Sequence, residues 1–553
     1  MQLRSGKRKA AVPPRRRPPP SRPVRPLPPL SLLDLPDDLL LLICAHCYDQ
    51  GFHNSLFSTC RRLADLGADS VTFLCIWAVG ANREEPPAAS AARAGGVTSW
   101  GHSPHADAAT FLRFASKTRY VRQLVLNREC LPDNEAVRDA SWEHEFYTAL
   151  APSLRYFPLR VFEASGEALP PLLGHPVSCR PLKELTLENV RWTEASYMVA
   201  RDLMRAHSRT ITQLALQFGS SEVSIEALCG LPRNSAELLR AVGIMPAVRH
   251  LDVRLDLDVD VALAMASIFP NCEILLVNAT FHAGATGECW ALPSFPFLRD
   301  VSLQHCLAID GLDLSDELAP FLRGRPLQRL ELWPGHEDLA ATTPARLANA
   351  VRGCSRLPEI LDLSAWEEDL GNLLDDAALV RLFDDADPAA ATTYVNVDLA
   401  REVSHDGFAL FSRLPALRKL RVVVTGDAPA RLFYPWPVPQ VTKLEVVFDG
   451  CPGGAAALVR GLAASPIAQS LSALIIRGGE ALGPATRAPL TALSALRSLT
   501  FRRQGRGPST VGASGDDQLA AAAAMRRENR AWKCMWAWLV RTFGTRVTLV
   551  DAS

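Results

Sequence analysis

The sequence predicts an α/β solenoid in which parallel strands line one face and helices pack outside them. Three observations predict this fold class. A short pattern, apolar-x-x-apolar-x-apolar, recurs between residues 120 and 501. Segments with apolar residues three and four positions apart, as in amphipathic helices, lie between the copies. A proline often stands just before a copy, where it ends a helix and leaves an extended entry to a strand.

The pattern occurs in eleven clear copies and three weaker ones. When the middle apolar residue of each copy is taken as a marker, the 14 markers from Leu124 to Leu499 lie about 29 residues apart on average. The clear copies are residues 120–126, 181–187, 210–216, 247–253, 271–277, 297–303, 326–332, 416–422, 440–446, 470–476 and 495–501, and the weaker ones are 158–164, 358–363 and 392–397.

Each copy is predicted to be a short strand with one apolar face. Leu251 and Val253 point one way and Asp252 the other, because side chains alternate along a strand. Such a strand cannot stand alone, whereas stacked strands share a continuous core. The predicted helices include 235–245, 259–269, 344–354 and 454–465, and the prolines that precede strands are Pro246, Pro270, Pro296, Pro415 and Pro439.

A pattern of this kind and period resembles the leucine-rich-repeat family. The resemblance covers about 380 residues, and it implies parallel strands on a concave face with helices outside. The ninth residue of a repeat is usually Asn or Cys in this family, and here only Cys306 fits well. We therefore expect an irregular, gently twisted solenoid without a regular inner hydrogen-bond ladder.

Near the N-terminus, a helix start is followed by the seven apolar residues 39–45. Pro36, Asp37 and Asp38 suit the first turn, because carboxylates favour the positive end of the helix dipole. The run is shorter than the roughly 20 residues that cross a bilayer, and no signal-peptide cleavage site follows it. A helix that is apolar on most sides needs cover on several faces. We therefore predict that a second protein covers one face.

Residues 35–66 resemble an F-box. The matching residues are Leu35, Pro36, Leu39, Leu40 and Ile43, with Asp38 in the place of a glutamate, then Leu56, Phe57, Cys60, Arg61, Arg62 and Leu63, and finally Phe73 to Trp77. The resemblance implies that Leu35, Pro36, Leu39, Leu40, Ile43 and Leu63 bind the Skp-type adaptor of an SCF ubiquitin ligase. Irregular repeats behind an F-box look like fungal F-box proteins generally. A three-helix bundle without a partner remains the alternative.

Composition divides the chain further. Residues 1–30 hold nine Lys/Arg, nine prolines and no acid, which leaves 50 basic against 59 acidic residues in the rest. Such a head cannot bury a core. We divide the chain into a disordered basic tail (1–30), an F-box-like helical module (31–80), a linker or insertion (81–108), the solenoid (109–515) and a C-terminal cap (516–553). The tail is either a nuclear import signal, a loose nucleic-acid contact or simply solvated.

The C-terminal cap is predicted to be a long helix within 516–544 followed by the strand 546–550. Its apolar face would hold Met525, Trp532, Trp536, Leu539, Val540 and Phe543. An open solenoid needs such a terminal cap, with one apolar and one polar side. A ligand site formed by the tryptophans is the alternative, although buried caps use the same residues.

The sequence predicts no catalytic site, metal site or cofactor. Cys44 and Cys47 have zinc or redox spacing, but no second pair accompanies them and they lie in an apolar run. Asp375, Asp376 and the cluster at 384–387 lack the order of a calcium loop, so a solvated loop is the better interpretation. The 13 cysteines are scattered, which favours reduced thiols in an intracellular protein.

The remaining candidates are exposed strand residues on the concave face. Early repeats are acidic or mixed there, and the last repeats are basic. Because aromatic residues and arginine dominate interface energetics, Trp333 stands out. The predicted target-binding residues are Arg329, Glu331, Trp333, Lys419, Arg421, Lys443, Arg477 and Arg502.

The leading hypothesis is a non-catalytic substrate-recognition subunit of an SCF-type ubiquitin ligase in the cytoplasm, the nucleus or both. Its expected partners are the Skp-type adaptor, through it a cullin ligase, and a target protein, without membrane contact. One alternative is a leucine-rich scaffold whose N-terminal helices only cap the solenoid. The other is a factor that binds chromatin or RNA through the basic tail.

Overall fold

The computed structural model describes part of the chain. The described residues are 40, 73–78, 97–102, 122–128, 148, 151, 154, 157, 159–165, 172, 181–190, 194–218, 235–254, 259–281, 295–308, 314–334, 344–364, 374–383, 391–399, 403–425, 432–449, 451, 453–478, 482–503, 530–544 and 547–551. The predicted basic tail and nearly all of the F-box-like module lie outside them.

The 17 strands of the described residues form a single parallel sheet. They are β1 (Phe73–Ala78), β2 (Val97–His102), β3 (Gln123–Arg128), β4 (Val161–Ser165), β5 (Glu184–Val190), β6 (Gln213–Phe218), β7 (His250–Arg254), β8 (Ile274–Phe281), β9 (Asp300–Ala308), β10 (Arg329–Pro334), β11 (Ile360–Leu363), β12 (Tyr394–Leu399), β13 (Lys419–Thr425), β14 (Lys443–Asp449), β15 (Ala473–Arg477), β16 (Ser498–Arg503) and β17 (Val547–Asp551). From β3 to β17 the order in space follows the order in the chain.

Each of the 14 predicted copies is one strand, and the markers pair with one another. Leu124 pairs with Phe162, Leu251 with Leu275, and so on to Leu499. All 14 markers are at most 1% exposed. Burying apolar surface stabilises by about 25 cal/mol per Å², so this continuous apolar row holds the strands in register. The predicted α/β solenoid of stacked parallel strands is confirmed.

Helices alternate with strands through most of the sheet. They are α1 (Glu194–His207), α2 (Ser235–Val242), α3 (Val259–Ile268), α4 (Leu314–Leu322), α5 (Pro344–Arg352), α6 (Asp376–Phe383), α7 (His405–Ala409), α8 (Gly454–Ala463), α9 (Arg487–Ala492) and α10 (530–543). The four helical segments singled out in the sequence correspond to α2, α3, α5 and α8. Leu238, Met265 and Leu458 from these helices join the same core as the strand leucines.

The five prolines predicted to switch helix to strand all lie in turns. At the first of them, the backbone N–H of Val248 donates to the carbonyl of Met245 across Pro246, at 3.3 Å. Corresponding bonds follow Pro270, Pro296 and Pro415. Proline suits the second position of such a turn because its φ is already set.

Neighbouring repeats are tied together along this turn edge by side chains. Asn271 Nδ2 donates to the carbonyl of Pro246 at 2.8 Å, and Gln440 Nε2 donates to that of Phe411 at 3.0 Å. Each bond joins a turn residue of one repeat to a carbonyl of the repeat before it. Cys306, the one residue that fitted the usual inner ladder, lies in β9.

The sheet begins earlier than the predicted start of the solenoid at residue 109. β1, which includes the predicted end of the F-box at Phe73 to Trp77, pairs with both β2 and β3. β2 lies inside the predicted linker. A continuous apolar run such as 73–78 fits a strand as well as a helix, and the Ala, Gly and Ser residues around β2 obscured its strand pattern.

The C-terminal cap is an additional repeat, since β17 pairs with β16 in the same parallel sense. Trp532, Met535 and Leu539 of α10 are buried, and Trp536 and Phe543 pack at the edge of the core. Val540 was predicted on this face but is 42% exposed, because a residue one position after Leu539 is turned by about 100° around the helix. Met535 was missed, and Met525 lies outside the described residues.

Candidate interaction surface

The strands present two faces that differ in chemistry. In the strands β4 to β16, the second and fourth residues face the helices and are apolar and buried. The first, third and fifth residues lie on the opposite side, which we call the open face; β13 shows this alternation clearly, with Leu420, Val422 and Val424 buried between exposed and half-buried residues. Arg329, Glu331, Lys419, Arg421, Lys443, Arg477 and Arg502 all occupy open-face positions.

A chain of polar side chains crosses the middle of the open face, and we call it the polar ladder. It consists of Asp362, Asn396, Arg421, Glu445 and Arg477, one from each strand from β11 to β15. Asn396 Nδ2 donates to both carboxylate oxygens of Asp362 at 2.8 Å. Arg421 Nη1 donates to Asn396 Oδ1 at 2.7 Å.

The ladder continues as a three-residue ion cluster. Arg421 lies 3.4 Å and Arg477 2.6 Å from the same Glu445 carboxylate oxygen. Asp362, Asn396 and Glu445 are buried, whereas the two arginines are half-buried. Buried charges need partners because desolvation is otherwise costly. The ladder therefore forms a rigid polar floor between the strands.

The acidic end of the ladder is held by further hydrogen bonds. Ser364 Oγ donates to Asp362 Oδ1 at 2.7 Å, and Asn396 Nδ2 also reaches Ser364 Oγ at 3.0 Å. On β10, the strand before β11, Arg329 Nε donates to Glu331 at 2.8 Å. Arg329 and Glu331 thus neutralise each other, which leaves Arg329 less able to bind a separate anion.

Lys419 lies over the ring of Tyr394, with its Nζ 4.2 Å from the ring centroid. A cation over an aromatic face is attracted by the ring quadrupole. Burial, followed by the nearby Asp362 charge, raises the pKa of Tyr394 to about 12. The phenol therefore stays neutral at physiological pH, and its ring packs against the Lys419 ammonium group.

The earlier repeats carry carboxyls that are less easily ionised. Burial raises the pKa of Asp252 and of Asp300, against the opposing effect of neighbouring basic groups. Because the folded state binds these protons more tightly, the stability that they contribute is present at low pH. It is lost as the pH rises from the ordinary aspartate value through the raised one.

The structure divides the predicted target-binding set into two groups. Arg329 and Glu331 contact each other on β10, while Lys419, Arg421, Lys443, Arg477 and Arg502 lie together on β13 to β16. Trp333 lies in β10, but its side chain is outside the described part. Sequence reasoning missed Asp362, Asn396 and Tyr394, because they lie in weaker copies. Aligning those copies with the clear ones would have placed Asp362 and Asn396 beside Glu331 and Arg421.

Of the residues expected to bind the adaptor, the structure describes Leu40 alone. Leu40 is helical and 0% exposed. A side chain covered within its own chain lies on the inner side of the helix, so Leu40 is not open to a partner in this state. Leu35, Pro36, Leu39, Ile43 and Leu63 lie outside the described residues, as do Cys44 and Cys47.

Asp375 and Asp376, two of the clustered aspartates, have structural partners. Asp375 Oδ1 accepts the backbone N–H of Ala378 at 2.7 Å at the start of α6, and Asp376 Oδ1 accepts that of Ser404 at 2.9 Å. The two are half-buried rather than part of a solvated loop. No cluster of three or more His, Cys, Asp or Glu suited to a metal occurs among the described residues.

Among the described residues, every helix is too short or too polar to cross a bilayer.

Comparisons with known proteins add little to these observations. No family model matches the chain, and no curated protein matches it. Among solved structures, the chain is similar to one described as "Crystal structure of Rad7 and Elc1 complex in yeast", at 12% sequence identity and a TM-score of 0.30. The alignment covers 75% of this chain and 88% of that chain. A similarity this weak carries no argument about function.

Proposed function

We propose that the chain is the substrate-recognition subunit of an SCF-type ubiquitin ligase. The F-box-like segment binds the Skp-type adaptor, and the open face of the sheet binds a target protein. The subunit forms no covalent bond with the target. It raises the target's effective concentration near the ubiquitin-charged enzyme, as linked binding sites do.

The observation that carries this proposal is the direct connection between the F-box-like segment and the sheet. β1 begins at Phe73, shortly after the Cys-Arg-Arg-Leu element at 60–63, and pairs with β3. A target bound to the sheet would then be attached to the adaptor-binding segment without a long flexible linker. A short connection of this kind favours transfer to a limited region of the target.

The polar ladder supports a binding role for the open face. Its buried Asp362 is held by several hydrogen bonds and its buried Glu445 by two ion pairs, so little side-chain entropy remains to be lost on binding. The exposed cations beside it, Lys419 and Lys443, add charge that can select a partner. A preformed polar floor edged by exposed cations suits a partner that carries negative charge.

The adaptor interaction is tested by co-purification with the Skp-type adaptor. The double variant Leu35→Ala/Pro36→Ala should lose the adaptor, and the matched control Leu263→Ala/Pro484→Ala should keep it. Leu263 and Pro484 are exposed residues of the same types on α3 and just before α9. Retention of the adaptor by the first variant would contradict the proposal.

A scaffold without a ligase role is the second candidate, and the burial of Leu40 favours it. If the N-terminal helices only cap the sheet, deleting residues 31–72 should lower the melting temperature of the repeats. A separate docking module should leave that temperature unchanged. The deletion retains β1, so the two outcomes are not confused with the loss of a strand.

A further inference from the structure

We propose that β13 to β16 bind an acidic peptide segment of the target protein that carries two acidic clusters about five residues apart. The binding groups form what we call the basic row: Lys419 and Lys443 at the start of β13 and β14, and Arg477 and Arg502 at the end of β15 and β16. The inference rests on the proposed function only in assigning the segment to a target.

The basic row places like charges side by side. Lys419 pairs with Lys443 in the parallel register, and Arg477 pairs with Arg502. Neighbouring strands are about 4.8 Å apart, and like charges at that distance destabilise a sheet. An anion bound between the members of each pair would remove this repulsion.

The described carboxylates nearby neutralise only Arg477 of the basic row. On the open face of β13 to β16 there are five basic residues and two acidic ones, Glu445 and Asp449. Glu445 is buried and already shared by Arg421 and Arg477. Within the described part of the chain, Lys443 and Arg502 form no ion pair, and both are exposed. Their charges are therefore available to a partner.

The position of the two cation pairs predicts the spacing of the acidic clusters. The pairs lie at opposite ends of the strands and two strands apart. With a rise of about 3.3 Å per residue and a strand spacing of about 4.8 Å, their centres are about 16 Å apart. An extended peptide covers that distance in about five residues.

The floor between the pairs favours a peptide over nucleic acid. Ile475 and Val447 are half-buried on the open face there, and they offer apolar contact to a side chain between the acidic clusters. Single-stranded nucleic acid is usually bound by stacking bases on aromatic rings. The nearest aromatic residue of the described open face is Tyr394, whose ring is covered by Lys419.

The test is fluorescence anisotropy of the full chain with a labelled peptide of sequence Glu-Glu-Gly-Leu-Gly-Glu-Glu between Ser-Gly flanks. The variant Lys443→Glu/Arg502→Glu should lose affinity by about tenfold or more, since two attractive charges become repulsive. The control Arg460→Glu/Arg541→Glu changes two exposed arginines of α8 and α10 and should change affinity by less than about twofold. The basic residues of 1–30 are present in every protein and contribute equally.

Two further comparisons use a peptide with a different spacing of its glutamates and a nucleic acid. A peptide with the same four glutamates in one block should bind the wild type more weakly than the spaced one. Equal losses in the two variants, equal binding of both peptides, or tighter binding of an oligodeoxythymidine of equal charge would each overturn the proposal. If the charge-reversal variant does not fold, Lys443→Gln/Arg502→Gln replaces it with the same expected direction.

Failure of this inference can be told apart from failure of the proposed ligase role. Peptide binding with no adaptor co-purification would leave the acidic-peptide site standing and remove the ligase assignment. Adaptor co-purification without selective peptide binding would leave the ligase assignment standing and remove the acidic-peptide site.

Discussion

Gly461 lies inside α8 at a place where alanine would ordinarily suit the helix better. A Cβ at this position would lie 1.9 Å from the carbonyl oxygen of Phe433. The segment around Phe433 is further held against α8 by Ser465, whose Oγ accepts the backbone N–H of Trp436 at 2.8 Å. Glycine is thus required because another backbone passes directly over the helix.

We predict that Gly461→Ala lowers the free energy of unfolding by about 1–3 kcal/mol, despite the better helix propensity of alanine. The control is Gly483→Ala, where φ is −72° and no atom lies within 4 Å of the added Cβ. There the smaller entropy of the unfolded chain should stabilise by about 0.4–1 kcal/mol. Urea unfolding followed by circular dichroism measures both, and effects of the same sign would contradict the explanation.

Single residues also show where sequence reasoning succeeded. Pro246 and Pro270 were correctly placed at the switch from helix to strand, since proline restricts its own conformation and that of its neighbour. Gly461 was not singled out. Its role depends on a segment about 30 residues earlier in the chain, and no local pattern indicates such an approach.

At the scale of elements, the polar ladder joins five consecutive strands through residues that are not close together in the chain. Its members each occupy the same kind of open-face position, but the bonds between them need correct pairing of neighbouring repeats. Removing one member leaves its neighbour's buried charge short of a partner. Such losses are usually larger than the net gain from the bond itself.

We predict that Asp362→Ala and Asn396→Ala are energetically coupled. Asn396→Ala should cost about 1–3 kcal/mol because the Asp362 carboxylate loses its amide donor. The double variant should differ from the sum of the single ones by about 0.5–3 kcal/mol.

The comparison cycle combines Asp362→Ala with Asn271→Ala, since Asn271 bonds at the turn edge between other repeats. These two effects should add within about 0.5 kcal/mol. Urea unfolding of each variant gives the free energies of unfolding for both cycles. Additivity in the first cycle would show that Asp362 and Asn396 do not depend on each other.

At the scale of the whole molecule, each repeat is stabilised mainly by its neighbours, so the ends matter most. The C-terminal end is closed by α10 and β17. Trp532 packs edge-on against Phe501 with ring centroids 6.1 Å apart, and Leu482 N lies 3.1 Å from Met535 Sδ. Both contacts join the last predicted repeat to the cap.

Truncation after residue 503 is predicted to lower the melting temperature by more than about 5 °C, because it removes the end interface of a solenoid. It would also expose the edge of β16 and the buried ring of Phe501, so light scattering should report self-association. Deleting residues 1–30 is the control and should change neither quantity. An unchanged melting temperature after truncation would mean that the cap does not stabilise the repeats.

The order and character of the repeats were determined by the sequence itself. Apolar markers about 29 residues apart can be covered only by stacking, and all 14 became paired strands. Local chemistry also specified the proline turns and the helical segments between strands.

Only the tertiary structure decided which polar residues meet. The bonding of Asp362 to Asn396 and the pairing of Lys419 with Lys443 depend on how one repeat lies on the next. The extension of the sheet to β1 and β2 was likewise decided by pairing across the chain, where apolar runs are ambiguous. The physical reason is that periodicity specifies which side of a strand is buried, whereas contacts on the open face depend on the register between strands.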